Sequence, residues 1–312
     1  MRVIRHLAAL HEPLARVVLT LGNFDGVHRG HQAIVGEARE RAVALGGQVA
    51  VFTFHPHPVA VLAPARAPAR MQSLHDRLRC LGDLGVDVTV VQRFTRAFAS
   101  IEAEAFVDDF LGARLELLEV VVGNHVSFGR GRRGTLPMLQ DFGARRGFAV
   151  RSIGSVLRGE DAVSSTALRE AVAGGDVGTA RALLGRPWSL RGRVVVGDRR
   201  GRALGFPTAN LHVPGGVTLP PNGVYAACAR IGGDRHDAVL NVGVRPTFGR
   251  LARTVEVHLL DVTRDCYGAW MDVDFVAHLR AEQRFAGVEA LRAAIAQDVI
   301  RARTVLEGAR DG

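Results

Sequence analysis

Apolar residues in the first 184 positions occur as short continuous runs that alternate with stretches of helical periodicity. Continuous apolar runs are typical of strands that are buried on both faces of a parallel sheet. They predict strands at Val17–Leu21, Val49–Phe54, Asp87–Val91, Leu118–Gly123 and Phe148–Ile153. The positions between them predict helices near Gln32–Ala44, Leu74–Gly85, Ala103–Gly112 and Thr135–Arg145. We therefore expect a Rossmann-like α/β domain, with helices on both faces of a parallel sheet.

Two further short helices are expected to complete this domain. Ser164 or Ser165 precedes one that ends at Gly174-Gly175, and Asp176 precedes another that ends at Gly185. Serine and aspartate cap helix starts, and glycine commonly follows helix ends. Because Arg186-Pro187-Trp188 then has the composition of a linker, we predict a first domain of residues 1–185 and a second of 186–312.

The pattern changes after Trp188. Short β-like runs follow one another, separated by Gly, Pro, Asn and Asp, and predict a small antiparallel barrel. They lie at Leu190–Val196, Val224–Arg230, Ala238–Val242, Thr254–Leu260 and Met271–Phe275. A final run with apolar positions from Val288 to Leu306 keeps a near-3.6 period and predicts a C-terminal helix packed on the barrel.

Composition narrows the class of protein. The 312 residues are 47% hydrophobic and 23% charged, which is ordinary for a globular protein. No apolar run reaches the ~20 residues that cross a bilayer, and the first residues lack a signal-peptide pattern. The three cysteines are scattered, so we expect reduced thiols and a cytoplasmic protein.

All 40 basic residues are arginines, and the net charge is +9. Without lysine, neither a Walker A site nor a lysine Schiff base can form. The arginines are spread along the chain with few aromatic residues among them, so the charge favours anionic small-molecule substrates over nucleic acid.

A glycine-bracketed turn follows the first predicted strand. The segment Leu21-Gly22-Asn23-Phe24-Asp25-Gly26-Val27-His28-Arg29-Gly30-His31 joins that strand to a helix start. Free backbone N–H groups and the helix dipole make such a junction a phosphate site. His28 and His31 share one helix face and can reach one anionic group. The alternative is that the glycines only shape a turn beside solvated histidines.

Other tracts of the first domain could converge on this turn. Ser164-Ser165-Thr166 opens the helix that carries Arg169, and Phe128–Gly134 is a loop of glycine and arginine. Both could bind phosphate, or they could be a helix cap and a solvated turn. His55-Pro56-His57-Pro58 ends the second predicted strand, but it has no acidic or cysteine neighbours that would favour a metal.

Gly22–His31 together with Ser164–Thr166 resembles the nucleotidyltransferase module of the bacterial bifunctional riboflavin kinase/FAD synthetase family. The resemblance implies that the FMN phosphate attacks the α-phosphorus of ATP without a covalent enzyme intermediate. It implies flavin contacts for Asn124 and His125. The residues that it implies for binding ATP and its phosphates are Gly22, Phe24, Asp25, His28, His31, Ser164, Ser165, Thr166 and Arg169, with His28 and His31 also catalytic.

A second chemical tract begins the barrel. Gly192–Asn210 combines a glycine–arginine loop with the corner Gly205-Phe206-Pro207-Thr208-Ala209-Asn210. Thr208 and Asn210 alternate onto one face, so both oxygens can address a hard cation such as Mg²⁺, although an ordinary turn would have the same pattern. Glu256 lies in an apolar strand, either as a solvent-facing residue or as a general base.

The second half resembles the riboflavin kinase module of the same family. The tracts that carry the resemblance, in order, are Gly205–Asn210, Asn222–Ala226, Asn241–Gly249, Glu256–Asp261 and Leu279–Glu282. It implies ATP binding by Gly205, Pro207, Thr208 and Asn210, with Mg²⁺ at Thr208 and Asn210. It also implies that Glu256 takes the proton of the ribityl 5′-hydroxyl, and that Arg280 and Tyr225 contact the flavin.

We therefore expect a cytoplasmic enzyme that makes FMN and then FAD from riboflavin and two ATP molecules. We expect it to be a monomer or weak homo-oligomer without nucleic-acid or membrane partners. Three alternatives stay open. His55, His125, Val126 and Ala167 depart from the family pattern, which would fit a kinase with a weakened adenylyltransferase. The others are a non-enzymatic flavin or nucleotide sensor and an adenylyltransferase for another phosphate.

Overall fold

The computed structural model describes residues 1–159, 161–197, 200–247, 250–262 and 264–310. For residues 200, 245–247 and 250–252 it describes the backbone only. Asp198 and Arg199 of the glycine–arginine loop, and Phe248 and Gly249 of the Asn241–Gly249 tract, lie outside the described residues. The chain divides into two compact units, Met1–Ser165 and Thr166–Gly312.

The first unit contains the predicted parallel sheet. Its strands are β1 (Arg2–Arg5), β2 (Leu14–Leu21), β3 (Gln48–His55), β4 (Val88–Arg93), β5 (Leu115–Gly123) and β6 (Ala149–Ile153), in the order β1-β4-β3-β2-β5-β6. All neighbouring strands pair in parallel. The α/β prediction is confirmed, and β1 is a strand that the apolar pattern did not predict. A two-stranded ribbon follows, β7 (Leu157–Arg158) with β8 (Asp161–Ala162).

Successive side chains of β2 enter different cores. Val17 and Leu19 belong to one buried cluster and Val18 to another, so apolar side chains cover both faces of the sheet. The helices of this unit are α1 (Arg29–Leu45), α2 (Pro58–Leu62), α3 (Leu74–Asp83), α4 (Arg96–Ala99), α5 (Ala103–Ala105) and α6 (Leu136–Arg146). The predicted helix Ala103–Gly112 continues from α5 as a π-helix, Phe106–Gly112.

Two short helices follow where they were predicted. They are α7 (Ser165–Ala173) and α8 (Val177–Leu184). Asp176 accepts a hydrogen bond from the Thr179 N–H at 2.8 Å, and Gly185 ends α8 in the left-handed conformation. The compact units divide at the start of α7, whereas the sequence places the domain boundary after residue 185, which stays a prediction.

The second unit is built on the predicted antiparallel barrel, which is closed. Its strands are β9 (Ser189–Val195), β10 (Ala209–His212), β11 (Gly223–Ile231), β12 (Asp234–Thr247), β13 (Arg250–Leu259) and β14 (Trp270–Ala281), in the order β10-β13-β12-β11-β14-β9. A short helix, α9 (Arg200–Ala203), lies between β9 and β10. The last helix, α10 (Val288–Gly308), buries Ala302 and Leu306 against Val224 and Val239.

None of the helices among the described residues is long and apolar enough to cross a bilayer.

Two candidate active sites

The glycine-bracketed turn after β2 is held in an unusual backbone conformation. Phe24 and Val27 have positive φ angles of 49° and 45°, although neither is glycine. Both side chains are completely buried, which offsets a conformational cost of about 1–3 kcal/mol each. A Cβ on Gly22 would lie 3.1 Å from the Phe24 ring, so the glycine allows that ring to close over the strand end.

The two histidines are stacked at the start of α1. Their ring centroids are 3.7 Å apart and the planes differ by 18°. The Nδ1 atom of His28 accepts a long hydrogen bond, 3.4 Å, from the His31 N–H and so caps the helix. A neutral His28 then carries its proton on Nε2. The cap starts α1 three residues before the predicted Gln32 and fixes which nitrogen of His28 can donate.

His31 is held in its neutral form. Burial, the neighbouring His28 and the Arg77 guanidinium keep the pKa of His31 well below its usual value. Among the described residues, its Nδ1 atom has no hydrogen-bond partner. A neutral His31 can therefore supply a hydrogen-bond donor to an anionic group beside the Nε2 donor of His28.

A buried arginine that the sequence analysis missed lies beneath the turn. Arg77 of α3 is 4% exposed, and its Nη1 donates to the Asn23 carbonyl at 2.6 Å, to Thr53 Oγ1 at 3.1 Å and to the Phe54 carbonyl at 3.2 Å. It thus joins the carboxyl ends of β2 and β3. Burial lowers the pKa of Arg77, and the charge of Asp25 opposes that shift.

Asp25 is a buried residue of the turn that forms two hydrogen bonds to other segments. Its carboxylate accepts the Met71 N–H at 3.0 Å, and its carbonyl accepts the Ser165 hydroxyl at 2.9 Å. The second contact brings the start of α7 to the turn, as the serine tract suggested. Ser164 directly precedes this helix, and Thr166 and Arg169 lie within it, in the second compact unit.

The remaining predicted residues of this domain lie at ends of its strands. His55 ends β3, and burial with the nearby Arg77 lowers its pKa. Asn124 and His125 follow β5 and are exposed, so a ligand could reach them. In the glycine–arginine loop, Arg130 pairs with Glu102 and Arg132 donates to Ser127 Oγ at 2.8 Å.

The candidate kinase residues share one row across the barrel. Asn210 of β10 lies directly opposite Glu256 of β13. Directly opposed residues of antiparallel strands lie on the same face, with Cβ atoms about 4.5–5.5 Å apart. Both side chains are half-buried, so the pair is accessible at the barrel surface.

The glycine–arginine loop closes on the same corner. A side chain at Gly197 would overlap the Asn210 carboxamide, and a Cβ on Gly201 would lie 3.2 Å from Thr208 Oγ1. Glycine at these two positions therefore lets the loop backbone approach the oxygens predicted to hold Mg²⁺. Gly205, at φ +88°, turns the chain into the Pro207 corner.

His258 connects this corner to the strand that carries Glu256. Its Nδ1 atom lies 2.8 Å from the Pro207 carbonyl, and its ring meets the Phe206 ring edge-on at 5.6 Å. Because a carbonyl only accepts, Nδ1 carries a proton. This contact joins residues that are 51 positions apart, so local sequence patterns could not predict it.

Arg280 and Tyr225, the two barrel residues predicted to contact the flavin, have different surroundings. Arg280 donates to both carboxylate oxygens of the buried Asp298 at 2.7–3.0 Å, and its guanidinium lies 5.5 Å from the Phe285 ring. Tyr225 is completely buried, its hydroxyl donates to the Pro221 carbonyl at 2.7 Å, and burial raises its pKa to about 12. The Tyr225 ring therefore packs inside the barrel, and its contact with the flavin stays a prediction.

The low pKa of His31 predicts a pH-dependent stability. Between the folded-state pKa and the usual value near 6.5, the unfolded chain binds a proton that the folded chain does not. The contribution of neutral His31 to the free energy of unfolding is therefore complete above pH 6.5 and decreases as the pH falls below that value. We expect the loss of unfolding free energy between pH 7.5 and 5.5, measured in urea, to be smaller in His31→Gln than in the parent. The exposed His11→Gln variant is the control, and an equal change in both variants would contradict the prediction.

The contact of His258 predicts a substrate-binding effect. His258→Phe keeps a ring against Phe206 but removes the donor to Pro207, so the Thr208–Asn210 corner loosens. We expect the KM for ATP in riboflavin phosphorylation to rise about 3- to 10-fold, which corresponds to the net free energy of one hydrogen bond. His212→Phe, at an exposed position of β10, should leave this KM unchanged. An unchanged KM in His258→Phe would show that the contact does not order the corner.

Comparison with known proteins agrees with both halves of the chain. Residues 11–167 match the family model described as FAD synthetase, and residues 184–306 match the one described as riboflavin kinase. A bifunctional riboflavin kinase/FMN adenylyltransferase of Escherichia coli strain K12 is 41% identical over 305 residues, covering 97% of each chain. The enzyme of that name from Bacillus subtilis strain 168 is 35% identical over 294 residues, covering 93% of this chain and 92% of its own.

A solved structure extends the similarity to the whole fold. It is described as a macrolide-efflux protein from Streptococcus pneumoniae and superposes with a TM-score of 0.88 at 29% identity, covering 97% of this chain and 99% of its own. That description names a transport activity for the other protein. Both family models and the curated relatives instead name transferases, and they span nearly all of this chain. The chain therefore belongs to the bifunctional riboflavin kinase/FMN adenylyltransferase family.

Proposed function

We propose that the barrel transfers the γ-phosphate of ATP to riboflavin, and that the α/β domain transfers the adenylyl group of a second ATP to the FMN formed. ATP and flavins are the substrates of these two reactions. The observation that carries the kinase assignment is the direct opposition of Asn210 and Glu256 beside Thr208. The assignment of the first reaction to residues 186–312 and the second to 1–185 is part of this proposal.

In the kinase step, Glu256 takes the proton of the ribityl 5′-hydroxyl. The hydroxyl oxygen then forms a bond to the γ-phosphorus, and the bond from that phosphorus to the β,γ-bridging oxygen breaks, releasing ADP. Gly205 and Pro207 shape the corner that binds ATP. Arg280, held by Asp298, contributes a fixed cation for the flavin side of the site.

The donor set of the corner fits Mg²⁺. Thr208 and Asn210 offer neutral oxygens, and no group of three or more acidic, histidine or cysteine side chains that could cage a metal occurs in the described parts of the chain. Mg²⁺ commonly takes few protein ligands and completes its shell with phosphate oxygens and water. When bound, it would neutralise charge on the ATP phosphates, with Thr208 and Asn210 as its protein ligands.

In the adenylyl transfer step, an FMN phosphate oxygen bonds to the α-phosphorus of ATP and pyrophosphate leaves. His28 and His31 donate hydrogen bonds to phosphate oxygens as charge develops on them. Gly22 and Phe24 shape the turn. Ser164, Ser165, Thr166 and Arg169 bind the triphosphate at the start of α7, and Asn124 with His125 contact the flavin.

The comparisons do not favour the alternative of a weakened adenylyltransferase. The first half matches the FAD synthetase model, and bifunctional relatives span the whole chain despite the departures at His55, His125 and Ala167. Incubation of the purified chain with FMN, ATP and Mg²⁺ tests this directly. Rapid FAD formation would eliminate the alternative, and its absence would restore it. A panel of other phosphate acceptors in the same assay tests the third alternative.

A cytoplasmic location and a monomeric or weakly associating chain are part of the proposal, as are small-molecule substrates without a nucleic-acid partner. The net charge of +9 supports anionic substrates. Sedimentation at several protein concentrations tests the oligomeric state.

If the two reactions occur at separate sites, a substitution in one site should impair one reaction and leave the other unchanged. Glu256→Gln should lower riboflavin phosphorylation about 10²- to 10⁴-fold, because the base is removed, and should leave FAD formation from added FMN unchanged. His28→Phe should lower FAD formation about 10²- to 10³-fold, because the ring is kept and its donor is removed, and should leave FMN formation unchanged. A time course with riboflavin and ATP that resolves FMN from FAD measures both. A non-enzymatic sensor would form neither product, and parent-level phosphorylation by Glu256→Gln would disprove the proposed base.

A further inference from the structure

The row that contains Asn210 and Glu256 has a third polar member. Asn241 of β12 lies directly opposite Glu256, on the side away from Asn210. Directly opposed residues share a face, so two carboxamides flank the candidate base on adjacent strands. Asn241 lies in one of the tracts that carry the family resemblance, but the sequence alone gave it no role.

This row lies on the outer face of the barrel. Val224, the next member of the row after Asn241, packs in the cluster that contains Ala302 and Leu306 of α10. Val255 and Val257, which flank Glu256 in β13, are buried at 2% and 0% exposure and point the other way. Asn210, Glu256 and Asn241 are all half-buried, so a substrate can reach them.

The side chain of Asn241 is not used by the fold. In the described parts of the chain its carboxamide forms no hydrogen bond, whereas the nearby Asn222 donates to Glu282 at 3.0 Å and accepts from Arg253 at 3.1 Å. Asparagine is also depleted in strands, so local structure does not favour it at this position. A structural requirement therefore does not explain the residue.

The space beside Asn241 is kept open by a glycine. The Nδ2 atom of Asn241 and the Oε1 atom of Glu282 come within 3.2 Å and 3.0 Å of the point where a Cβ on Gly243 would lie. Gly243 is two residues along β12 and shares the face. A side chain at position 243 would press on the Asn241 carboxamide, so glycine there leaves room for it on the face that carries Glu256.

We infer that Asn241 is a positioning residue for phosphoryl transfer, and that it donates one N–H to the Glu256 carboxylate when riboflavin and ATP bind, a hydrogen bond that the described part of the structure does not contain. This inference rests on the proposed role of Glu256 as the base. With Asn241 donating to the carboxylate, an oxygen of Glu256 faces the ribityl hydroxyl and receives its proton as the new O–P bond forms. A held carboxylate loses less rotamer freedom in the transition state, so the effect appears in kcat.

The test compares Asn241→Leu with the parent in riboflavin phosphorylation. Loss of a hydrogen bond to a charged group should lower kcat about 10- to 100-fold, with the KM values for riboflavin and ATP within about 2-fold. Thr254→Val is the matched control, because it removes a half-buried polar group from the same face, directly opposite Gly243. Riboflavin affinity, measured by flavin fluorescence, and the thermal unfolding midpoint report whether each variant is folded.

A double-mutant cycle separates positioning from other roles. If Asn241 acts through Glu256, Asn241→Leu should change kcat less than 2-fold in a Glu256→Gln background, because the partner has gone. Multiplicative losses, an equal loss in Thr254→Val, or parent kcat in a folded Asn241→Leu would each overturn the inference and leave the proposed base in place. Parent activity in Glu256→Gln alone would instead overturn the proposed base, and this inference with it.

Discussion

Strand pairing is the constraint on which both sites depend. In the six-stranded sheet of the first unit every neighbouring pair is parallel, so all carboxyl ends meet at one edge of the sheet, and the turn after β2 lies there with His55 and Asn124. In the second unit antiparallel register places residues from distant parts of the sequence directly opposite each other. The same backbone hydrogen bonds that build the fold therefore bring the reactive groups together.

Buried charged side chains hold in place the loops and side chains that strand pairing alone does not fix. Arg77 joins the ends of two strands through one nitrogen, and Asp298 holds Arg280 with both oxygens. Burying an ion is costly unless its partners are in place, so these contacts persist only with the surrounding fold intact. Each one converts a flexible side chain or loop into a fixed part of a site.

The sequence predicted what depends on local spacing. The shared face of His28 and His31, the serine start of α7 and the alternation of Thr208 with Asn210 follow from helix and strand periods. Arg77, His258, Asn241 and Asp298 could not be predicted in this way, because their partners are distant in the chain. One local signal was available for Arg77, which occupies a position on the apolar face of α3 between Leu74 and Leu81. The π-helix Phe106–Gly112 also escaped prediction, because its apolar pattern resembles an α-helix.

The two sites meet opposite electrostatic demands with different residue types. Adenylyl transfer joins two anions, so its site needs donors without added negative charge, and two stacked histidines near a buried arginine satisfy that need. Phosphorylation of an alcohol needs a group that removes a proton, which a donor cannot do. A carboxylate such as Glu256 does so, and the Asn241 carboxamide that we infer to position it is itself uncharged. The need to donate hydrogen bonds therefore favours histidine and arginine at the α/β site, and the need to remove a proton favours glutamate at the barrel site.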